Sequence, residues 1–163
     1  MSALVGIVMG SDSDLPHLEK CFAALDEFGI PYCVDVISAH RTPDKAHEYG
    51  TSARDRGLKV IIAAAGGAAH LAGVIASLTT LPVIGLPIPT DMDGMDSLLS
   101  TVQMPSGVPV ATVGVGRGAN AAILAAQIIG VADESCAEKL KLYKEKLARK
   151  VAEKNKNLRN KLS

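Results

Sequence analysis

The sequence predicts a parallel α/β fold in one domain, a central sheet covered by helices on both faces. Three observations predict it. Short apolar runs alternate almost strictly with segments of helical periodicity along the 163 residues. Aromatics make up only 3% of the chain and Trp is absent, so the core is built from Val, Ile, Leu and Ala, as strands buried on both faces require. No linker, repeat or low-complexity stretch divides the chain, so residues 1–163 read as a single domain.

Leu4–Met9 is a compact β-type run that ends at Gly10. Leu15, Leu18, Phe22 and Leu25 follow at helical spacing, and Gly29 closes that helix. Ile30–Ile37 reads as a second strand, with Pro31 near its start where a missing N–H is tolerated. Thr42 as N-cap and Pro43 at the first helical position start a second helix, which runs to about Arg56 and stops at Gly57. Leu58–Ala63 is the third strand. A small-residue loop, Ala64–Ala69, leads into a helix over His70–Leu78. Pro82–Leu86 is the fourth strand, Ser97–Met104 a helix and Val108–Val113 the fifth strand. An Ala-rich helix over Ala119–Ile129 precedes a basic helix over about residues 133–160. Right-handed crossovers between five such strands give a flavodoxin-like three-layer α/β/α sandwich, with a central parallel five-stranded sheet and an extra C-terminal helix.

Composition narrows the function classes. No apolar stretch is long enough and free enough of helix breakers to span a membrane. Met1-Ser2-Ala3-Leu4 lacks the basic residues and cleavage site of a signal peptide, so a cytoplasmic location is expected. Cys21, Cys33 and Cys136 have neither pairing nor metal-ligand spacing; Cys21 and Cys33 read as small core residues. Net charge is zero but unevenly placed. Residues 138–163 hold ten Lys and Arg against three Glu, a net +7, so the rest of the chain sums to −7. Lys139, Lys141, Lys144, Lys146 and Lys150 interleave with Leu140, Tyr143 and Leu147 at helical spacing, which describes a helix with one apolar stripe and a solvated cationic face. Without an aromatic stacking platform or a nucleic-acid motif, nucleic acid is not an expected partner.

In open α/β sheets, ligands bind beyond the C-terminal ends of the strands, and the unusual segments of this chain fall there. Gly10-Ser11-Asp12-Ser13-Asp14 follows the first strand. Gly10 permits a tight turn, Ser11 and Ser13 can hold an anion at the helix start, and Asp14 can accept from sugar hydroxyls. Ser13 or Asp14 can equally be a plain helix cap. The segment lacks both the Walker A pattern and the GxGxxG fingerprint, so ATP and NAD are not indicated. Ser38-Ala39-His40-Arg41-Thr42-Pro43 follows the second strand. Histidine transfers protons near neutral pH, and arginine clamps phosphate or carboxylate with two prongs. Ala65-Gly66-Gly67-Ala68-Ala69-His70 follows the third strand, where small residues allow close backbone approach and offer amide donors. His70 acts inside the site or caps its helix; His17 and His47 read as structural or exposed. In the Gly94–Gly107 segment, Asp96 or Ser97 can cap a helix whose Leu residues pack inward and whose polar face carries Ser100 and Gln103. Pro87 and Pro89 before it give a stiffened loop suited to a pocket wall.

Four of these segments together resemble the PurE family of purine biosynthesis: Met9–Asp14, Ser38–Pro43, Ala65–Leu71 and Asp96–Pro105. Their order, spacing and element context all match, over nearly the whole chain up to the basic tail. Arg41 and Gly67-Ala68-Ala69 match the bacterial mutase class; the carboxylase class carries Lys and an Arg-Ser-Asn run at those places. The chain departs from the family pattern at Ala72, usually Pro, and in a shortened loop around Gly116–Asn120.

The resemblance implies an N5-carboxyaminoimidazole ribonucleotide mutase activity, in which a carboxylate moves from the exocyclic N5 to C4 of the imidazole. It implies no cofactor and no metal, and assembly as a homo-octamer. By the same likeness His40 is the catalytic proton carrier, Ser11 and Arg41 bind the phosphate region, and Asp14 binds the ribose. Ser13, Ser38, Ala39, Ala65, Gly66, Gly67, Ala68 and His70 complete the substrate-binding set, the glycine-rich loop holding carbon dioxide against C4. The alternatives are direct carboxylation of aminoimidazole ribonucleotide by free carbon dioxide, and a non-catalytic nucleotide- or flavin-binding module on the same fold. Flavin is disfavoured by the scarcity of aromatics.

Overall fold

The computed structural model describes residues 2–162. Met1, part of the N-terminal reading above, and Ser163 lie outside the described residues. The apolar runs form the strands β1 (Val5–Met9), β2 (Tyr32–Val36), β3 (Val60–Ala65), β4 (Val83–Pro87) and β5 (Ala111–Thr112). Between and after them run α1 (Leu15–Phe28), α2 (Pro43–Ser52), α3 (Leu71–Leu78), α4 (Met95–Val102), α5 (Gly118–Gly130) and α6 (Glu134–Leu162). All strands pair in parallel in the order β2-β1-β3-β4-β5. The chain therefore leaves β1 toward one edge, then returns past it to β3. The loops after β1 and β3 diverge to opposite faces, and a crevice opens where the order reverses.

The two faces of the sheet bury different partners. Val5, Ile7, Met9, Ile62 and Ile84 pack under α1 and α5, with Leu18, Leu25, Ala122 and Ala125 from the helices. Val8, Ile61, Ala63 and Val83 pack under α2 and α3, with Ala46, Tyr49, Leu71 and Ile75. Ile7, Ile61, Ile62 and Ile84 are fully buried, each worth about 1.5–3 kcal/mol. Gly29, at φ 65°, ends α1 in the left-handed conformation that a side chain resists, and its N–H returns to the helix's last carbonyls. α6 packs against α5 and the C-terminal end of α1. Lys139 Nζ donates to Phe28 O at 2.7 Å, Lys146 Nζ to Glu27 Oε1 at 2.7 Å, and the Phe28 and Tyr143 rings meet edge-on at 5.5 Å. From residue 144 onward α6 is exposed. No helix among the described residues is long and apolar enough to cross a membrane.

Several boundaries differ from the sequence reading. Ala64 and Ala65 belong to β3 and not to the loop. Pro31 precedes β2, and its carbonyl accepts from Leu4 and Val5 N–H. α2 ends at Ser52, after which turns carry the chain to Gly57. Thr42 does not cap α2 through its side chain; its Oγ1 donates to Ser38 O and accepts from Ser38 N–H. Pro87 is the last residue of β4. β5 keeps two paired residues because it is an edge strand with Pro109 just before it.

α4 is rotated from its expected orientation: Gln103 is exposed as expected, but Leu98 is only half-buried. Ser97 and Thr101 are the buried residues, while Met95, Leu99 and Val102 are 53%, 49% and 47% exposed. Ser97 Oγ donates to Ile88 O (2.6 Å) and Gly94 O (3.0 Å), and Thr101 Oγ1 to Ser97 O (2.7 Å). The hydroxyls satisfy local carbonyls, so they can be buried where polar side chains would otherwise be costly. Neither Asp96 nor Ser97 is the cap, which is Gly94.

Candidate active site

Three turns meet at the C-terminal edge of β1, β2 and β3, around a cavity of about 410 Å³. The turn after β1 is shaped by its serines. Ser11 caps a short 3-10 turn over Asp12–Asp14, its Oγ accepting from Ser13 N–H (3.3 Å) and from Ser13 Oγ (2.8 Å). Asp14 begins α1 without a side-chain cap bond, which leaves its carboxylate on the cavity wall. Burial pushes that carboxyl above its usual range, against the opposing pull of a Ser11 backbone hydrogen bond and the His17 charge. Gly10, which permits the tight turn, keeps a negative φ. A Cβ there would meet Asp14 Oδ2 at 3.8 Å and Ala65 Cβ at 4.0 Å, both on the cavity wall.

The turn after β2 is tied to the first. Arg41 Nη2 donates to Gly10 O at 3.1 Å, and Ser38 Oγ accepts from both Arg41 N–H (3.1 Å) and Arg41 Nε (3.3 Å). The guanidinium is held over the β1 turn before any ligand arrives, with donors to spare for an anion. His40, next in line, reaches the third turn: its Nε2 lies 2.9 Å from His70 Nδ1, with the rings crossed at 85°. A single proton between these nitrogens makes one ring the donor and the other the acceptor, which couples their tautomers.

The third turn, Gly66–His70, is built from small residues. Gly67 has φ 61°, and a Cβ on Gly66 would lie 2.6 Å from Thr90 Cγ2. Ala69 and His70 N–H donate to Gly67 O and Ala68 O, both at 2.8 Å. The amides of Gly66, Gly67 and Ala68 have no acceptor among the described residues. Such a loop offers N–H groups to an anionic or carbonyl oxygen at close approach.

Of the residues expected in the site, Ser11, Asp14, Ser38, Ala39, His40, Arg41, Ala65, Gly66, Ala68 and His70 all line the cavity. Ser13 and Gly67 do not; Ser13 is turned onto Ser11, and Gly67 supports the loop through its carbonyl. Gly10, Leu71 and Thr90 complete the lining. Leu71 directly follows the third turn. Thr90 follows β4, and its position beyond a strand's C-terminal end is the one signal that could have found it. His17 lies within α1, half-buried, and His47 is exposed on α2. Cys21 is buried, and burial pushes its thiol up to about 12, far from a nucleophile's range. Among the described residues no cluster of three or more His, Cys, Asp or Glu is placed to hold a metal ion.

This arrangement invites comparison with known proteins. The family model described as AIR carboxylase matches residues 4–150. The chain belongs to the AIR carboxylase family. It is 58% identical to the N5-carboxyaminoimidazole ribonucleotide mutase of Pyrococcus horikoshii, over 95% of this chain and 88% of that one. It is 56% identical to the protein of the same name from Thermotoga maritima, over 94% of this chain and 91% of the relative. In three dimensions it resembles the crystal structure of Treponema denticola PurE2-S38D, with a TM-score of 0.88 at 33% identity over 97% of this chain and 99% of that one. The three-layer α/β architecture is therefore shared with that structure along nearly the full length.

Proposed function

We propose that the chain is an N5-carboxyaminoimidazole ribonucleotide mutase. One observation carries the reading: Arg41 and His40, adjacent on a single turn, bridge the serine turn and the small-residue loop, so an anion clamp and a proton carrier share one cavity. The names of the P. horikoshii and T. maritima relatives support the same reaction.

The chemistry follows from that placement. Arg41 and Ser11 hold the phosphate of the ribonucleotide, and the Asp14 carboxylate accepts from the ribose hydroxyls. Protonated His40 gives its proton to N5 as the N–C bond of the carbamate breaks, the bonding pair remaining on nitrogen. Carbon dioxide and aminoimidazole ribonucleotide result. C4 then attacks the carbon dioxide, forming the new C–C bond, and neutral His40 removes the C4 proton to restore the aromatic ring. The imidazole ends protonated as it began, so one group serves both steps. His70, in contact with His40, orients the ring. The small-residue loop keeps carbon dioxide beside C4 and out of bulk water, because escape ends the reaction unproductively. The reaction needs no metal or organic cofactor.

We place the enzyme in the cytoplasm, acting as one domain with the basic helix as its C-terminal part. It assembles as a homo-octamer, in which Met95, Leu99 and Val102 on α4 and Val151, Leu158 and Leu162 on α6, all exposed in the single chain, face neighbouring subunits. Light scattering of the purified protein tests the assembly.

The reaction is tested by supplying N5-carboxyaminoimidazole ribonucleotide and, separately, aminoimidazole ribonucleotide with bicarbonate. Efficient conversion of the first is expected. Turnover of only the second would replace the mutase with a carboxylase, and turnover of neither would favour a binding module.

A further inference from the structure

Thr90 lines the cavity, yet the chemistry above gives it no part. Its Oγ1 stands 2.9 Å from each carboxylate oxygen of Asp96, so its one proton is shared between them. Asp96 lies in the first turn of α4, where a negative charge is favoured by the helix dipole. The bond restrains the χ1 rotamer of Thr90, because a β-branched side chain has few alternatives and one of them presents Oγ1 to the carboxylate. The handedness of Cβ then decides where the methyl goes. It goes against Gly66, where an added Cβ would come within 2.6 Å of Thr90 Cγ2. The rest of α4 touches the same loop only loosely: Ser100 Oγ is 3.5 Å from Gly67 O, and Thr101 Oγ1 is 3.5 Å from Ala69 O. The tight contact between α4's end of the molecule and the small-residue loop is thus the Thr90 methyl, aimed by Asp96.

We propose that Thr90, oriented by Asp96, is a positioning residue that braces Gly66 and keeps the small-residue loop closed on the carbon dioxide released during carboxylate transfer. The inference rests on the mutase reading. Carbon dioxide carries no net charge and is retained by the shape of its enclosure more than by any ionic contact. A displacement of the loop by about an ångström is enough to open an escape path or misalign the reacting carbon. Glycine at position 66 makes the loop able to accept the brace; it also leaves the loop with no side chain of its own to hold it.

The test follows the carbon. Substrate labelled with 13C in its carbamate is mixed with excess enzyme in unlabelled bicarbonate. Mass spectrometry then gives the fraction of C4-carboxylated product that keeps the label. High retention is expected from the parent protein; if the parent forms no product, the mutase reading fails, a result distinct from failure of the brace. Thr90→Ser keeps the hydroxyl and its carboxylate partner but removes the methyl, and is expected to lose about tenfold more label with substrate affinity unchanged. Asp96→Ala frees the methyl and is expected to lose label too. The double variant should lose no more than Thr90→Ser alone, because Asp96 acts through that methyl. Parent-like retention in both single variants, with or without a lower melting temperature, overturns the proposal. So does an Asp96→Ala effect that adds in full to Thr90→Ser, which would make the carboxylate independent of the methyl.

Discussion

α5 and α4 cover opposite faces of the same sheet, and they are buried by opposite means. α5 turns Ala121, Ala122, Ala125, Ala126 and Ile129 inward, and its buried face is a close-packed hydrocarbon surface against α1 and the strands. α4 turns Ser97 and Thr101 inward and leaves Met95, Leu99 and Val102 in solvent. The first helix holds the fold together. The second trades apolar burial for hydrogen bonds to the Ile88 and Gly94 carbonyls of the connection after β4, with a looser one to Ala69 O of the small-residue loop. The α5 side of the molecule is thus organised by volume, and the cavity side by the placement of polar groups, a division that mutation can probe.

The largest effect is expected where volume rules. Ala125→Leu adds three carbons to a site with no exposed surface, and overpacking of this kind costs about 1–3 kcal/mol. Thermal melting should fall by several degrees, while the active fraction that remains folded turns over normally. A parent-like melting curve would mean that the α1–α5 contact has slack. Ser97→Ala on the other side leaves Ile88 O and Gly94 O without their hydroxyl donor and should cost about 1 kcal/mol. Its mark is a change in activity out of proportion to the melting shift, because Ile88 and Gly94 flank Thr90, which lines the cavity.

A smaller effect concerns Asp14. Burial raises its carboxyl pKa, so ionisation is harder in the folded protein than in the unfolded chain. The stability it contributes is full below the unfolded value of about 3.9 and is lost as pH rises through the raised value. Asp14→Asn, which cannot ionise, should therefore melt higher than the parent at pH 7 and alike at pH 3, while binding ribonucleotide less well. A variant that is less stable than the parent at pH 7 would contradict this. The smallest effect is that of Leu99→Ser on the exposed face of α4, expected to alter chain stability by less than about 0.5 kcal/mol. If α4 faces a neighbouring subunit, the same variant should shift the assembly to smaller species in light scattering.

The same division explains what was legible in the sequence. β1, β3 and β4 stand out as apolar runs, and α1 and α5 as helical stripes with a glycine stop or an alanine face, because their burial is apolar and leaves a periodic trace. The site turns were legible because each carries an unusual polar or glycine-rich segment at a strand end. α4 was misread for the reason that makes it useful: Ser97 and Thr101 look like surface residues until their hydroxyls are seen to be satisfied by nearby carbonyls. Thr90 could be placed only by its position beyond the end of β4, since its partnership with Asp96 spans a loop and its contact with Gly66 spans 24 positions of chain. Ser13 and Gly67 were expected in the cavity on the strength of their segments, but each supports a neighbour and does not line the wall. β5 was overextended because a run such as Val108–Val113 shows its apolar residues and not the single neighbour that an edge strand has.

The central claim is that one imidazole, brought beside the anion clamp by the turn after β2, carries the proton for both halves of the carboxylate transfer. The most direct measurement compares His40→Asn with the parent in single turnover, alongside ribonucleotide affinity measured by calorimetry. The claim predicts a rate lower by about 10²–10⁴-fold, with affinity changed by no more than a few-fold. Turnover at the parent's rate would contradict it.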